Sequence, residues 1–200
     1  MNVGRILWAG VLVGAGAAIG RAALRTEDGR ELDENLFKAA NAARSEAADR
    51  GFAAVTEAGS MYAAAAAAGA LALRGRRREG GRALAGAATT WLALQGVKRI
   101  VVRPRPYLAD PHGTRRIIAE PHGTSWPSSH PAVLTTFTRI AARELGVGVV
   151  GRTALTTLDV TVATSRVTLG VHYPSDVASG LLFGRAVARV WPRGRRRPPT

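Results

Sequence analysis

The sequence predicts an all-α protein, a polytopic membrane helix bundle of about six transmembrane helices with a short amphipathic segment before the second span. Three observations carry this prediction. Apolar, Ala/Gly-rich stretches at residues 6–20, 51–73 and 83–97 are separated by charged ones. Basic charge gathers in two short clusters, RGRRREGGR at 74–82 and PRGRRRPPT at 192–200. Two Ser/Pro-rich turns, at 127–131 and 173–176, have the composition that starts helices, with hydroxyls for capping and proline tolerated in the first turn.

Length and composition bound the rest. The chain has 200 residues, 28 Lys and Arg against 14 Asp and Glu, a formal net charge of +14 and no cysteine. This length suits one domain over residues 1–200. Disulfide frameworks and thiolate metal sites are excluded. A hydrophobic share of 46% argues against general disorder. The basic balance leaves three classes of partner: nucleic acid, an anionic membrane surface, or anionic substrates.

Each element follows in order. Residues 6–20, after Arg5, read either as a secretory signal or as a retained first membrane helix, and the apolar stretches downstream favour retention. Residues 21–50 hold six basic and seven acidic side chains, half of all the acids, and form the polar approach to the second span. The second and third spans are placed at 52–73 and 83–102. None of the apolar stretches is an uncharged run of about 18 or more, the usual mark of a transmembrane helix. Small residues, however, are what closely packed membrane helices use at their contacts. Hydropathy alone therefore leaves a soluble bundle of Ala-rich core helices open.

A fourth helix from about residue 131 returns near Arg152, a fifth over 153–171 crosses back to His172, and a sixth over 176–191 ends at the basic tail 192–200. With this alternation both Arg clusters share one face, which the positive-inside rule makes cytoplasmic along with both termini. Arg139, Asp159 and Arg185 fall inside spans and are expected to face the bundle.

The second half of the chain holds the chemistry. KRIVVRPRP at 98–106 places six residues between Lys98 and Arg105-Pro106. WPSSHP at 126–131 carries Ser128, Ser129 and His130. SRVTLGVHYPSD at 165–176 carries Arg166, His172 and Asp176. Singly, each has a bland reading: interfacial anchors, a structural histidine, ordinary caps. Together they supply a positive pocket, and phosphoryl transfer is catalysed mostly by positioning and electrostatics. Lys98, Arg105 and Arg166 suit phosphate oxygens, the Arg forks two at a time. His172 and Asp176 lie four apart, so the carboxylate can orient one imidazole nitrogen and leave the other free to attack phosphorus. His130 then serves as general acid. Both histidines sit near helix N-termini, where free amides favour phosphate.

These three fragments resemble the signature of the type 2 phosphatidic acid phosphatase superfamily: Lys-x6-Arg-Pro, Pro-Ser-Gly-His and Ser-Arg-x5-His-x3-Asp. The match covers 98–176 and departs at one position, where Ser129 replaces the glycine. DENLFKAANAARSEAADRGFAAVTEAGS also resembles the approach to the second membrane helix in bacterial members. The resemblance implies a phosphohistidine on His172 supported by Asp176, leaving-group protonation by His130, and phosphate held by Lys98, Arg105, Ser128, Ser129 and Arg166. It further implies no metal or other cofactor, a lipid phosphate substrate, a membrane location with the site on the extracytoplasmic face, and no nucleic-acid partner. The lipid would be phosphatidate-like or polyprenyl-like, with a phosphomonoester or terminal pyrophosphate.

Two other readings stand beside this one: a soluble-type acid phosphatase or vanadate haloperoxidase of the same superfamily, and a non-catalytic basic protein binding membrane or nucleic acid. The loop 107–126 contains PHGT twice. Asp110, His112, Glu120 and His122 there read as turn residues more readily than as metal ligands, and Tyr107, Ile117, Ile118 and Trp126 as contacts for a lipid.

Overall fold

The computed structural model describes residues 3–42 and 45–194, so the basic tail lies outside the described residues from position 195 onward. The described residues form nine α-helices, one 3-10 turn and no strand. In order these are α1 (Val3–Arg25), α2 (Glu27–Asn41), α3 (Glu46–Thr56), the 3-10 turn Glu57–Gly59, α4 (Met61–Leu73), α5 (Arg77–Ile100), α6 (Pro106–Ala109), α7 (Ser129–Glu144), α8 (Val149–Thr168) and α9 (Pro174–Val190).

Contacts along the helices fix their directions. Arg5 at the start of α1 donates to the carbonyls of Arg189 and Trp191 at the end of α9, and Ser179 near the start of α9 donates to Gly16 O at 2.9 Å. These two helices are therefore antiparallel. Arg82 near the start of α5 meets Glu144 at the end of α7, while the Thr90 and Thr136 hydroxyls lie 2.9 Å apart midway. The six helices α1, α4, α5, α7, α8 and α9 thus alternate in direction, and the ends of α5 and α8 meet the starts of α4, α7 and α9.

Small side chains let these helices pack closely. A core of Ala64, Ala68, Ala83, Ala87, Val133, Phe137, Ile140, Ala141 and Ala188 joins α4, α5, α7 and α9. Gly180 and Gly184 bring α9 against the Ser128 and Ala132 carbonyls, where an added Cβ would lie 2.4 and 2.5 Å from oxygen. A second cluster, Phe37, Ala163, Val167, Tyr173 and Val177, fastens α2 across α8 and α9.

The helices depart from the expected boundaries in two places. The second span expected at 52–73 is interrupted: α3 ends at Thr56, the chain makes a 3-10 turn, and Ser60 starts α4 by accepting the Ala63 N–H at 3.0 Å. Ser60 is a strong N-cap residue, and a cap requires extended backbone where a continuous helix requires helical backbone. The amphipathic segment before α4 is correspondingly a pair of helices, α2 and α3. The fourth helix stops short of Arg152: it ends at Glu144 and turns through Gly146 at φ +68°, so Arg152 belongs to the next helix, α8, which runs from Val149 to Thr168. By length and composition, α1 is the one described helix able to cross a bilayer by itself. The others are shorter or more charged, α8 carrying Asp159 at its middle, and α4, with 13 residues, is short and apolar.

Candidate active site

The site forms where α5, α7, α8 and α9 come together at one end of the bundle. The chain turns out of α8 through Gly170, whose φ of +79° is a left-handed conformation natural to glycine, and an added Cβ would lie 2.4 Å from the Arg115 carbonyl. This turn delivers His172 between α8 and α9.

His172 is buried, with Nδ1 3.4 Å from Asp176 Oδ2 and 3.5 Å from Ser125 Oγ. On the other side of the ring, Nε2 lies 3.1 Å from Arg105 Nη1. The carboxylate on Nδ1 favours the Nδ1–H tautomer, leaving the Nε2 lone pair directed at the guanidinium. Burial holds the imidazole well below its ordinary pKa, and the positive charges of Arg105, Arg166 and Lys98 act in the same direction. The ring is therefore neutral near pH 7.

Asp176 is fully engaged. Its Oδ2 also accepts the Tyr173 N–H at 2.9 Å, which caps α9, and the Ser125 hydroxyl, while Oδ1 accepts from Arg103 Nη1 at 2.7 Å. Helix start and imidazole support are thus performed by one carboxylate.

Three cations act on the His172 ring, Arg105 at Nε2 and Arg166 and Lys98 beyond it. Arg105 is buried and held in place by carbonyls, donating to Val171 O at 2.9 Å, Gly123 O at 3.0 Å and His122 O at 3.2 Å. Lys98 Nζ donates to Thr124 O at 2.7 Å, and Arg166 Nη1 to Thr56 Oγ1 at 3.2 Å. His130, in the first turn of α7, lies within electrostatic reach of Arg166, His172, Arg105 and Lys98. Gly59 in the 3-10 turn packs against His130, where an added Cβ would lie 2.9 Å from the histidine Cβ. Ser128 Oγ, Ser129 Oγ and Arg166 Nε are buried without a hydrogen-bond partner among the described residues. Such groups are costly to leave unpaired, and all three are suited to phosphate oxygens.

All eight motif residues, Lys98, Arg105, Ser128, Ser129, His130, Arg166, His172 and Asp176, therefore gather at one place. Several of their partners lie outside the motif positions. Arg103 binds Asp176 and, through Nη2, Asp33 Oδ2 of α2 at 2.7 Å, and lies 4.0 Å from the centre of the Tyr173 ring. Burial opposes its charge, but the Asp176 and Asp33 carboxylates raise its pKa above the ordinary value. Ser175 completes the network by donating its backbone N–H to Asp33 Oδ1 at 2.8 Å. Arg103 stands inside the first motif fragment and Ser125 immediately before the second, whereas Asp33 and Thr56 lie in the stretch 33–60 that resembles the approach to the second membrane helix, with nothing there to mark them as site partners.

The loop 107–126 covers this end. Asn41 of α2 accepts the Arg115 N–H and donates to Arg115 O and Thr168 O, and Arg115 pairs with Asp49 of α3 at 2.9 Å. Tyr107 and Trp126 are buried within the protein, Trp126 donating to Ser179 Oγ at 3.0 Å, so neither is a lipid-facing side chain. Among the described residues no group of three or more His, Cys, Asp and Glu is placed to hold a metal ion, and Asp110, His112, Glu120 and His122 form no such group.

Comparison with known proteins agrees with this arrangement. The chain is similar to the decaprenylphosphoryl-5-phosphoribose phosphatase of Mycobacterium tuberculosis, at 38% identity over 122 residues, 61% of this chain and 64% of that protein. It is equally similar to the protein of that name from Mycolicibacterium smegmatis, at 38% identity over 123 residues, 60% of this chain and 62% of that one. The match thus spans less than two thirds of these relatives. The fold is shared with two solved structures, each at a TM-score of 0.69. One is Aquifex aeolicus LpxE, 23% identical and covering 78% of this chain and 92% of that chain. The other is the first transmembrane PAP2 type phosphatidylglycerolphosphate phosphatase from Bacillus subtilis, 22% identical and covering 92% of this chain and 90% of that chain. The model of the PAP2 superfamily matches residues 79–198, more than half of the chain and every residue from Lys98 to Asp176, and the chain belongs to that superfamily.

Proposed function

We propose that the protein is an integral membrane phosphatase that removes phosphate from a lipid phosphomonoester or a lipid pyrophosphate. The observation that carries this reading is the neutral His172, oriented by Asp176 on Nδ1 and facing Arg105 on Nε2, beside the unpartnered Ser128, Ser129 and Arg166 atoms. A phosphoryl group bound there replaces the Arg105–Nε2 contact with guanidinium–oxygen contacts. His130 takes up a proton together with the anionic substrate, whose phosphate charge offsets the surrounding cations; His172 Nε2 then attacks phosphorus, the bond from phosphorus to the leaving oxygen breaks, and that oxygen takes the proton from the His130 imidazolium. A water then attacks the phosphohistidine and gives its proton to His130. The N–P bond breaks, releasing phosphate and restoring His172. Lys98, Arg105 and Arg166 neutralise the oxygens throughout, while Asp176 stabilises the charge that develops on the imidazole.

Its membrane relatives support a lipid substrate of polyprenyl or glycerolipid type. The charge distribution supports a topology. Arg74, Arg76, Arg77 and Arg78 are exposed at the turn between α4 and α5, at the end of the bundle away from His172. At the His172 end, α2 and α3 carry three basic side chains, Arg30, Lys38 and Arg50, among seven acidic ones. The Arg-rich end is cytoplasmic by the positive-inside rule, and His172 faces the extracytoplasmic side.

The test is phosphate release in detergent from phosphatidic acid, phosphatidylglycerol phosphate, undecaprenyl diphosphate and a polyprenylphosphoryl sugar phosphate, with His172→Ala and His130→Ala alongside. Release from at least one lipid, abolished in His172→Ala, is expected. Full activity in His172→Ala would rule out the phosphohistidine route.

A further inference from the structure

A second cluster of cations, outside the site described above, lines a cavity of about 660 Å³ between α1, α7 and α9. Its wall includes Arg5, Arg139, Arg143, Arg185, Arg189 and Arg193. Arg139 and Arg143 lie nine and thirteen residues after His130 on α7, and Arg185 and Arg189 nine and thirteen after Asp176 on α9. At 1.5 Å per residue, the cavity is centred roughly 14–20 Å along these helices from the catalytic end.

Charge around the cavity is poorly balanced. Glu144 accepts from Arg143 and also from Arg82 and the Gly194 N–H, so it is shared outward. Asp159 of α8 acts electrostatically on both Arg139 and Arg185, and accepts a hydrogen bond from Thr138 at 3.0 Å. Arg5 is used on the carbonyls that end α9, and Arg143 in part on Ala188 O at 2.9 Å. Arg139 and Arg185 donate no hydrogen bond among the described residues, and Arg185 Nε is buried without a partner. Arg185 is half-buried and Arg139 exposed; the two repel one another while sharing one carboxylate, and an anion that joins them relieves that repulsion. Arginine forks suit phosphate in this role. One wall of the cavity is apolar, formed by Trp8 and Leu12 of α1, with Trp8 mostly exposed on the outside of the bundle.

We infer that this cavity is a second anion site, which takes the phosphate of an anionic phospholipid from the leaflet opposite the catalytic centre. Arg139 and Arg185 hold the phosphate oxygens, Arg189 and Arg193 lie at the mouth, and the acyl chains run along Trp8 and Leu12. The site joins α1, α7 and α9, the last two of which also carry His130 and Asp176. An occupied site therefore stabilises the packing of these helices without taking part in phosphoryl transfer.

The experiment is thermal unfolding of the full chain in neutral detergent, with dioleoylphosphatidylglycerol, dioleoylphosphatidylcholine or inorganic phosphate added. It is run on the parent, on Arg139→Gln/Arg185→Gln, on the milder Arg189→Gln, and on the exposed control Arg77→Gln/Arg78→Gln. The parent and the control rise by roughly 5–10 °C with phosphatidylglycerol at about a hundredfold above its Kd, and not with phosphatidylcholine. The double variant loses the rise and Arg189→Gln weakens it, while both keep the phosphatase activity of the parent. A comparable rise with inorganic phosphate that also needs Arg139 and Arg185 identifies the phosphate group itself as the determinant. A rise that persists in the double variant, or no rise in the parent, overturns the inference. Because the readout is unfolding, it stands apart from whether the chain hydrolyses any lipid. Should Arg139→Gln/Arg185→Gln fail to fold, Arg189→Gln alone must weaken the rise or the inference falls.

Discussion

Arg103 binds Asp176 Oδ1 through one guanidinium nitrogen and Asp33 Oδ2 through the other, each at 2.7 Å, so α2 is joined through one buried cation to the carboxylate that orients His172. The site is thereby supported from an element far from it in sequence. Replacing Arg103 by Ala leaves two carboxylates buried and unpaired, which costs about 3–5 kcal/mol. Arg103→Lys keeps the charge but cannot span both partners, and is expected to fall between. The Arg103 guanidinium is engaged by Asp33, Ser175 and Asp176, away from the proposed phosphate ligands, so variants that fold should lose kcat with little change in KM. Steady-state kinetics beside thermal unfolding check this; an unchanged kcat would show that Asp176 holds His172 without Arg103.

The depressed pKa of His172 has a definite sign. Burial, then Arg105, Arg166 and Lys98, disfavour the imidazolium, so the neutral form, which the proposed mechanism uses as nucleophile, persists to more acidic pH than an ordinary histidine allows. The acidic limb of kcat/KM assigned to His172 should lie below about pH 6.5, the unperturbed value. Arg105→Gln removes a neighbouring positive charge and should move the His172 titration upward, as read by nitrogen NMR of the free protein. For stability the sign is the same as for a depressed acid. The contribution is fully present above the unfolded value and is lost as pH falls through the folded one. A parent His172 titrating at or above about 6.5 would contradict burial and the neighbouring cations as the controlling influences.

Ser129 occupies the place of the superfamily glycine with its hydroxyl buried and unpartnered. It sits in the first turn of α7 with ordinary helical backbone, and the described residues with positive φ are all glycines elsewhere. No conformational freedom of glycine is therefore required at this position. Ser129→Gly should change kcat/KM by less than about tenfold, equivalent to ~1.4 kcal/mol or one hydrogen bond. Phosphate-release kinetics measure it, and a gain of several orders of magnitude would show that the serine obstructs the site.

The catalytic end is legible in the sequence because each motif stands where a long helix begins or ends. Lys98 closes α5, Arg166 lies near the end of α8, and His130 and Asp176 stand in the first turns of α7 and α9. Spacing within a motif fixes such neighbours locally. Asp33 and Thr56 are not legible, since their roles depend on α2 and α3 folding back over residues 70 and 110 positions away. The break before α4 is masked by the Ala run at 63–68, which reads as helix whatever precedes it, although Ser60 is a cap residue. Trp126 reads as a lipid contact because aromatic residues favour interfaces, but Gly20 leaves the space that buries it against α1.

The spacing between α7 and α9 gives the last test. A Cβ on Gly180 would lie 2.4 Å from the Ser128 carbonyl, a backbone atom that cannot swing aside, and the adjoining Ser128 N–H donates to Asp176 O at 3.0 Å. Gly180→Ala therefore has to push α9 away from the start of α7, and overpacking of this kind costs about 1–3 kcal/mol. The same movement separates Asp176 and His172 from Ser128, Ser129 and His130, so kcat should fall as well as Tm. Gly96 is also helical, but an added Cβ there meets nothing within 4 Å. Gly96→Ala should instead stabilise the protein by about 0.5–1 kcal/mol through the helix propensity alone. Thermal unfolding and turnover of the two variants separate a general effect of removing glycine from a requirement for close contact. Equal shifts in both would mean that the α7–α9 contact does not set the geometry of the site.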